Sequence, residues 1–253
     1  MSKKRTKRRK RESDFPEFVS LYSAPSAHYF KEKEKFDEAV GLDFITHANE
    51  ACRRGEKFLA GLSHGTSPSG AYQYILEHYD KLAKPEMIRY TFVNSKLKRQ
   101  RGLKGIMDAV GFLKTLLATG KISKDQILGR SLNRDDMEAY SSEMNTKLAE
   151  YLEENGKEGL DYMFVATDSA GRVAGITRFS EAFSSEEIGT IVYDRKEKEL
   201  TLTPHFIKKT KRIAFLATKA EKRRALAFGE TALYLLATLG YRFRFKIRSR
   251  KTV

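Results

Sequence analysis

Residues 61–72 read GLSHGTSPSGAY, and two chemistries fit parts of that stretch. Gly61, Ser63 and Gly65 satisfy G-x-S-x-G, the pattern that holds a nucleophilic serine at a sharp strand-to-helix turn. Gly65, Thr66 and Ser67 ahead of a proline satisfy another need, a small hydroxyl-bearing turn that opens a helix and presents backbone N–H groups to phosphate. The spacing disfavours the first. Pro68 suits the first helical position with Ser67 as its cap, which leaves Ser63 well ahead of the helix. After His78 the only histidine is His205, and nothing in the sequence singles out an acid to partner it. The turn also lacks the Gly-Lys-Ser/Thr of a Walker loop. The expectation is therefore an anion seat made by Ser63, Gly65, Thr66 and Ser67. Lys222 adds to it. It stands in the first turn of a later helix, where a cation is unfavourable unless an anion sits there too.

The elements that must position these residues follow from periodicity. Phe36, Val40, Phe44, Ile45 and Ala48 recur at three- and four-residue steps and predict a helix ending near Gly55. KFLAGL (57–62) and MIRYTFV (87–93) are short apolar runs bounded by turn residues, the mark of buried strands. Between them, residues 68–82 predict a helix with Tyr72, Ile75, Leu76, Tyr79 and Leu82 on one face. Helices are predicted over 102–120 and 133–156, the second with Asp135 and Asp136 at its start, where negative charge suits the dipole. Beyond Gly159 the period shortens. Strands are predicted at 160–167, 172–179, 187–193, 199–203 and 211–218, then a helix over 220–240 and a last strand at 241–247. Strands alternating with helices imply an α/β fold, Rossmann-like and doubly wound, with a mostly parallel sheet and helices on both faces. In an open sheet of that kind the 61–72 loop and the Lys222 turn both lie at the carboxyl ends of strands, where ligands bind.

The 253 residues carry a net charge of +15, unevenly placed. Residues 1–11 hold eight Lys/Arg and no acid, and residues 208–251 hold fourteen against Glu221 and Glu230. The expected organisation is a disordered basic tail over residues 1–14 and a single α/β domain over 15–253. Cationic ends suit polyanions. Nucleic acid is thus a second expected partner, through Lys96, Lys98, Arg99, Arg101, Arg242 and Arg244. The alternation of the final strand also fits an edge whose charges block sheet-to-sheet pairing. A single cysteine, Cys52, excludes an internal disulfide framework and a multi-cysteine metal site. With no apolar run long enough to span a bilayer and no apolar stretch behind the basic start, the expected home is the cytoplasm, without membrane, metal or cofactor. The oligomeric state has no signature in the sequence.

GLSHGTSPSGAY resembles the substrate-phosphate loop of the glucosamine-6-phosphate deaminase and 6-phosphogluconolactonase family, Gly-Leu-x-x-Gly-Ser-Thr-Pro-x-Gly-x-Tyr. Gly61, Leu62, Gly65, Pro68, Gly70 and Tyr72 match, and Thr66 and Ser67 stand in swapped order. The likeness continues in register through 160–176, 199–226 and 232–247. It implies a pocket for a phosphorylated sugar and a phosphate-binding role for Lys222. The departures are as informative. Where the family carries an acidic pair after its second strand, this chain has Asn94, Ser95 and Lys96. Where the family has Gly-Pro-Asp-Gly-His, Ala170 replaces the aspartate and Arg172 the histidine. Deamination and lactone hydrolysis need a proton-moving carboxylate or imidazole, worth about 100- to 10,000-fold. The resemblance thus implies sugar-phosphate binding with impaired catalysis and no assigned catalytic residue. Arg172 joins the phosphate-binding set. An enzyme with rearranged catalytic groups, recruiting Asp168, is the alternative.

Overall fold

The computed structural model describes residues 18–21, 26–28, 30–96, 107–129, 136–168, 171–177, 179–194 and 197–218. Four short apolar segments form its centre: β3 (Phe58–Leu62), β4 (Ile88–Phe92), β6 (Tyr162–Ala166) and β9 (Ile213–Leu216). They run parallel in the order β9-β6-β3-β4. Nearly every position in them is buried, as expected of strands covered on both faces. β1 (Phe18–Leu21) pairs antiparallel with β9 and β2 (Ser26–His28) with β1, completing six strands.

The period-2 alternation of the strands divides the core in two. Phe58, Ala60, Leu62, Tyr162, Phe164, Ala214 and Leu216 point to one face. There they meet α1 (Lys33–Arg53), α2 (Ser69–Glu77) and α3 (Ala109–Ala118), with Phe44 edge-on to Phe58 and Tyr162 at ring distances of 5.7 and 5.5 Å. Leu59, Met163, Val165, Ile213 and Phe215 point to the other face, toward α4 (Met137–Glu154). Helices therefore cover both faces, and the doubly wound Rossmann-like α/β class expected from the sequence is the one observed. Among the described residues no helix is long and apolar enough to cross a membrane.

A second, antiparallel sheet was not expected. Its strands are β5 (Asn94–Lys96), β7 (Gly189–Asp194) and β8 (Glu197–Leu202), in the order β5-β8-β7. After Val93 the chain leaves the large sheet and pairs with β8, placing Asn94 opposite Thr201 and Lys96 opposite Glu199. Val93 is the joint: its N–H donates to Leu62 O in one sheet and its C=O accepts from Leu202 N of the other, both at 2.9 Å.

Three local expectations need correction. The predicted strand at 172–179 reduces to isolated bridges at Val173, because Ala174 (φ 53°) and Gly175 (φ 79°) turn the chain. Ser67 does not cap α2: the helix begins at Ser69 after Pro68 in right-handed helical geometry, and no side chain caps it. The predicted helix over 68–82 stops at Glu77 and continues only as a 3₁₀ turn at 79–81. Asp136, by contrast, does open α4, accepting from Ala139 N at 2.9 Å. A short α5 (Pro204–Ile207), capped by Thr203, follows β8. The helix and strand predicted over 220–247 lie outside the described residues.

Candidate functional site

The large sheet has one place where strand order reverses. From β3 the chain proceeds outward to β4, and from β6 it proceeds the other way to β9, so the switch falls between β3 and β6. Open α/β sheets bind ligands just beyond the carboxyl ends of the strands at such a point. The loops that leave there are 63–68, after β3, and 167–176, after β6.

Ser63 ties them together. It is 1% exposed, its Oγ accepts from Ala166 N at 3.4 Å, and it lies within donating distance of Asn94 Oδ1 at 3.3 Å and His64 O at 3.2 Å. Its carbonyl accepts from Tyr72 Oη at 3.0 Å. Burial pushes the Tyr72 phenol well above the ordinary tyrosine value, so the hydroxyl stays a donor at neutral pH. A serine held inward in this way is no exposed nucleophile; it braces the loop from below. His64 lies flat on Phe92, with ring centroids 5.5 Å apart, and its N–H donates to Asn94 Oδ1 at 3.2 Å.

Gly65 follows, facing the end of β6. Its φ is +126°, a conformation side chains rarely adopt, and a Cβ there would stand 3.6 Å from Ala166 Cβ. Thr66 is partly exposed and Ser67 fully buried. The first N–H groups of α2 follow directly; like those of any helix start they lack intrahelical partners. Behind this turn the Asp37 carboxylate, ion-paired to Lys33, presses on Gly70. Burial pushes its carboxyl up, and Lys33 opposes the shift.

Arg172 lies in the turn after β6. Its Nε donates to Asp168 Oδ2 at 2.6 Å and its backbone N–H to Asp168 Oδ1 at 3.0 Å. The guanidinium and the one nearby acid expected to rescue catalysis are thus held to each other. Lys96 lies on β5. Lys222, Lys98, Arg99, Arg101, Arg242 and Arg244 lie outside the described residues, so the structure places Ser63, Gly65, Thr66, Ser67 and Arg172 about the switch point and leaves Lys222 unplaced.

The residue that sequence reasoning missed is Glu199. The stretch after β4 contains no acid, yet Glu199 of β8 reaches it from across the small sheet and accepts from Asn94 Nδ2 at 2.6 Å. It is 2% exposed and sits two residues from Thr201 on the same face of β8, diagonal to Asn94. A signal existed, the polar Glu199 and Thr201 alternating with apolar Leu200 and Leu202, but it names no partner. Among the described residues no group of His, Cys, Asp and Glu could hold a metal ion.

Fold and loop together define a Rossmann-like α/β protein with a turn of glycine and hydroxyl-bearing residues at its switch point. No protein-family model matches the chain, and no curated protein matches it in sequence. Solved structures do match in shape. A 6-phosphogluconolactonase from Plasmodium vivax superposes with a TM-score of 0.64 at 14% identity, covering 83% of this chain and 84% of that one. A 6-phosphogluconolactonase from Shewanella baltica gives 0.62 at 14% identity, over 84% and 91%. A monomeric glucosamine-6-phosphate deaminase gives 0.53 at 14% identity, over 73% and 78%. The chain therefore has the fold of the family that its 61–72 loop resembles, at strongly divergent sequence.

Proposed function

We propose that this protein binds a phosphorylated sugar at the 63–68 turn, as a cytoplasmic, catalytically impaired relative of the lactonases and deaminases whose fold it shares. One observation carries the reading: the turn that resembles the family's phosphate loop leaves β3 at the switch point, with Gly65 at φ +126°. Neighbouring N–H groups, the Thr66 hydroxyl and the Arg172 guanidinium suit a phosphate dianion. Proton transfer is poorly served. Asn94 and Ala170 replace acids, Asp168 is tied to Arg172 and Glu199 of β8 is buried.

Calorimetric titration with glucosamine 6-phosphate and 6-phosphogluconate tests this, alongside turnover assays with glucosamine 6-phosphate and 6-phosphogluconolactone. Binding with background turnover is the expected result; family-like turnover favours the rearranged-enzyme alternative, and no binding ends the reading. Replacing Lys222 with alanine is expected to weaken sugar-phosphate binding about 10- to 100-fold, the worth of a hydrogen bond to a charged group. Unchanged affinity removes Lys222 from the site.

The uneven charge supports a second partner. If residues 1–11, Lys96, Lys98, Arg99, Arg101, Arg242 and Arg244 hold RNA or DNA, affinity should fall about 1000-fold or more between about 50 and 200 mM salt. A chain that binds neither polymer at low salt has no such role.

A further inference from the structure

We infer that Asn94 and Glu199 form a charge-placing pair beneath the anion turn: Asn94 offers the turn a neutral acceptor, while Glu199 fixes its orientation and keeps the negative charge one side chain away. The inference rests on the sugar-phosphate reading and deepens it, because it names what makes the floor of that site tolerate a dianion.

A carboxamide has a donor end and an acceptor end. An ionised carboxylate only accepts, so Glu199, 2.6 Å from Asn94 Nδ2, fixes the donor end toward itself. The acceptor end, Oδ1, is thereby aimed at the turn, where His64 N lies at 3.2 Å and Ser63 Oγ at 3.3 Å. An aspartate at position 94 could accept both of those bonds, but it would put a full charge against the turn. Glu199 is shielded from the turn in two ways. Asn94 stands between them, and the 173–176 turn packs over the carboxylate so closely that a Cβ at Gly175 would come 2.6 Å from its Cδ. That turn is itself held by Thr201 Oγ1 donating to Ala174 O at 2.7 Å. The pair thus braces β5, β8 and the anion turn while the face toward the ligand stays uncharged.

The bond within the pair can be reversed. In the double variant Asn94→Asp, Glu199→Gln, the glutamine amide donates to the aspartate, which still accepts from His64 N–H and Ser63 O–H, and the carboxylate moves to position 94. Asn94→Asp alone sets two carboxylates in contact, which must share a proton, and serves as the destabilised reference. The experiment is titration of the full chain with inorganic phosphate at low salt, with thermal melting of each variant. The double variant is expected to melt near the wild-type temperature and to bind phosphate about 10-fold or more weakly, the Coulomb effect of a charge brought within several ångströms of a dianion. Glu199→Gln alone keeps an acceptor for Asn94 and is expected to bind at least as tightly as wild type.

A double variant that binds phosphate like wild type overturns the inference. So does a Glu199→Gln variant that loses about 10-fold or more in affinity, because the negative charge itself would then be required. If the double variant does not fold, the Glu199→Gln result decides. A wild-type chain that binds no phosphate overturns the sugar-phosphate reading and this inference with it, whereas equal binding by wild type and double variant overturns this inference alone.

Discussion

Replacing Asp161 with alanine is expected to cost about 3–5 kcal/mol of folding free energy, the penalty for removing one partner of a buried ion pair. Asp161 stands at the amino ends of the central strands, opposite the candidate site. Its carboxylate takes Lys157 Nζ at 2.8 and 3.0 Å and Lys211 Nζ at 2.9 Å. It also accepts from Leu59 N at 2.8 Å. The Asp161 and Lys157 side chains are only 4% and 6% exposed, so alanine leaves a buried ammonium without its counter-charge and a β3 amide without an acceptor. Lys211 is 59% exposed and simply returns to water. Urea unfolding of both proteins at neutral pH measures the loss. Asp161→Asn, which keeps an acceptor for Leu59 but not the charge, should fall between them. A loss under about 1 kcal/mol would mean that the cluster is surface-like in its energetics. Phosphate binding by the folded fraction should not change.

Gly65→Ala is expected to act the other way round, on the ligand more than on the fold. At φ +126° a Cβ carries about 1–3 kcal/mol of backbone strain. The turn is expected to relieve it by moving. That displaces the helix-start N–H groups from any phosphate, and affinity should drop about 10-fold or more, because oriented charge-assisted bonds are lost together. Titration with inorganic phosphate, with a parallel thermal melt, separates the two effects. An alanine variant that keeps wild-type affinity would show that the anion, if bound, sits elsewhere.

Much of this architecture could be read in order along the chain. The helices announce themselves through contacts three and four residues apart, as with Phe36, Val40 and Phe44 on α1. The strands β3, β4, β6 and β9 announce themselves as short apolar runs. The Gly61–Tyr72 turn was legible for the same reason: its glycine, hydroxyls and proline act on their own backbone. Misreadings arise where the deciding partner is remote. Residues 172–179 alternate like a strand, but Ala174 is turned by a bond from Thr201 on β8. β5 is three residues long and has meaning only once β8 lies beside it.

By itself, then, the sequence determined the α/β layering and the character of the turn after β3, because periodicity and backbone chemistry are local properties. Only the tertiary structure decided what lies around that turn. It brought Glu199 to Asn94 across 105 residues and turned Ser63 inward as a brace between Ala166 and Asn94. Each of these depends on which strands become neighbours, and no spacing along a chain specifies a charge that arrives from another sheet.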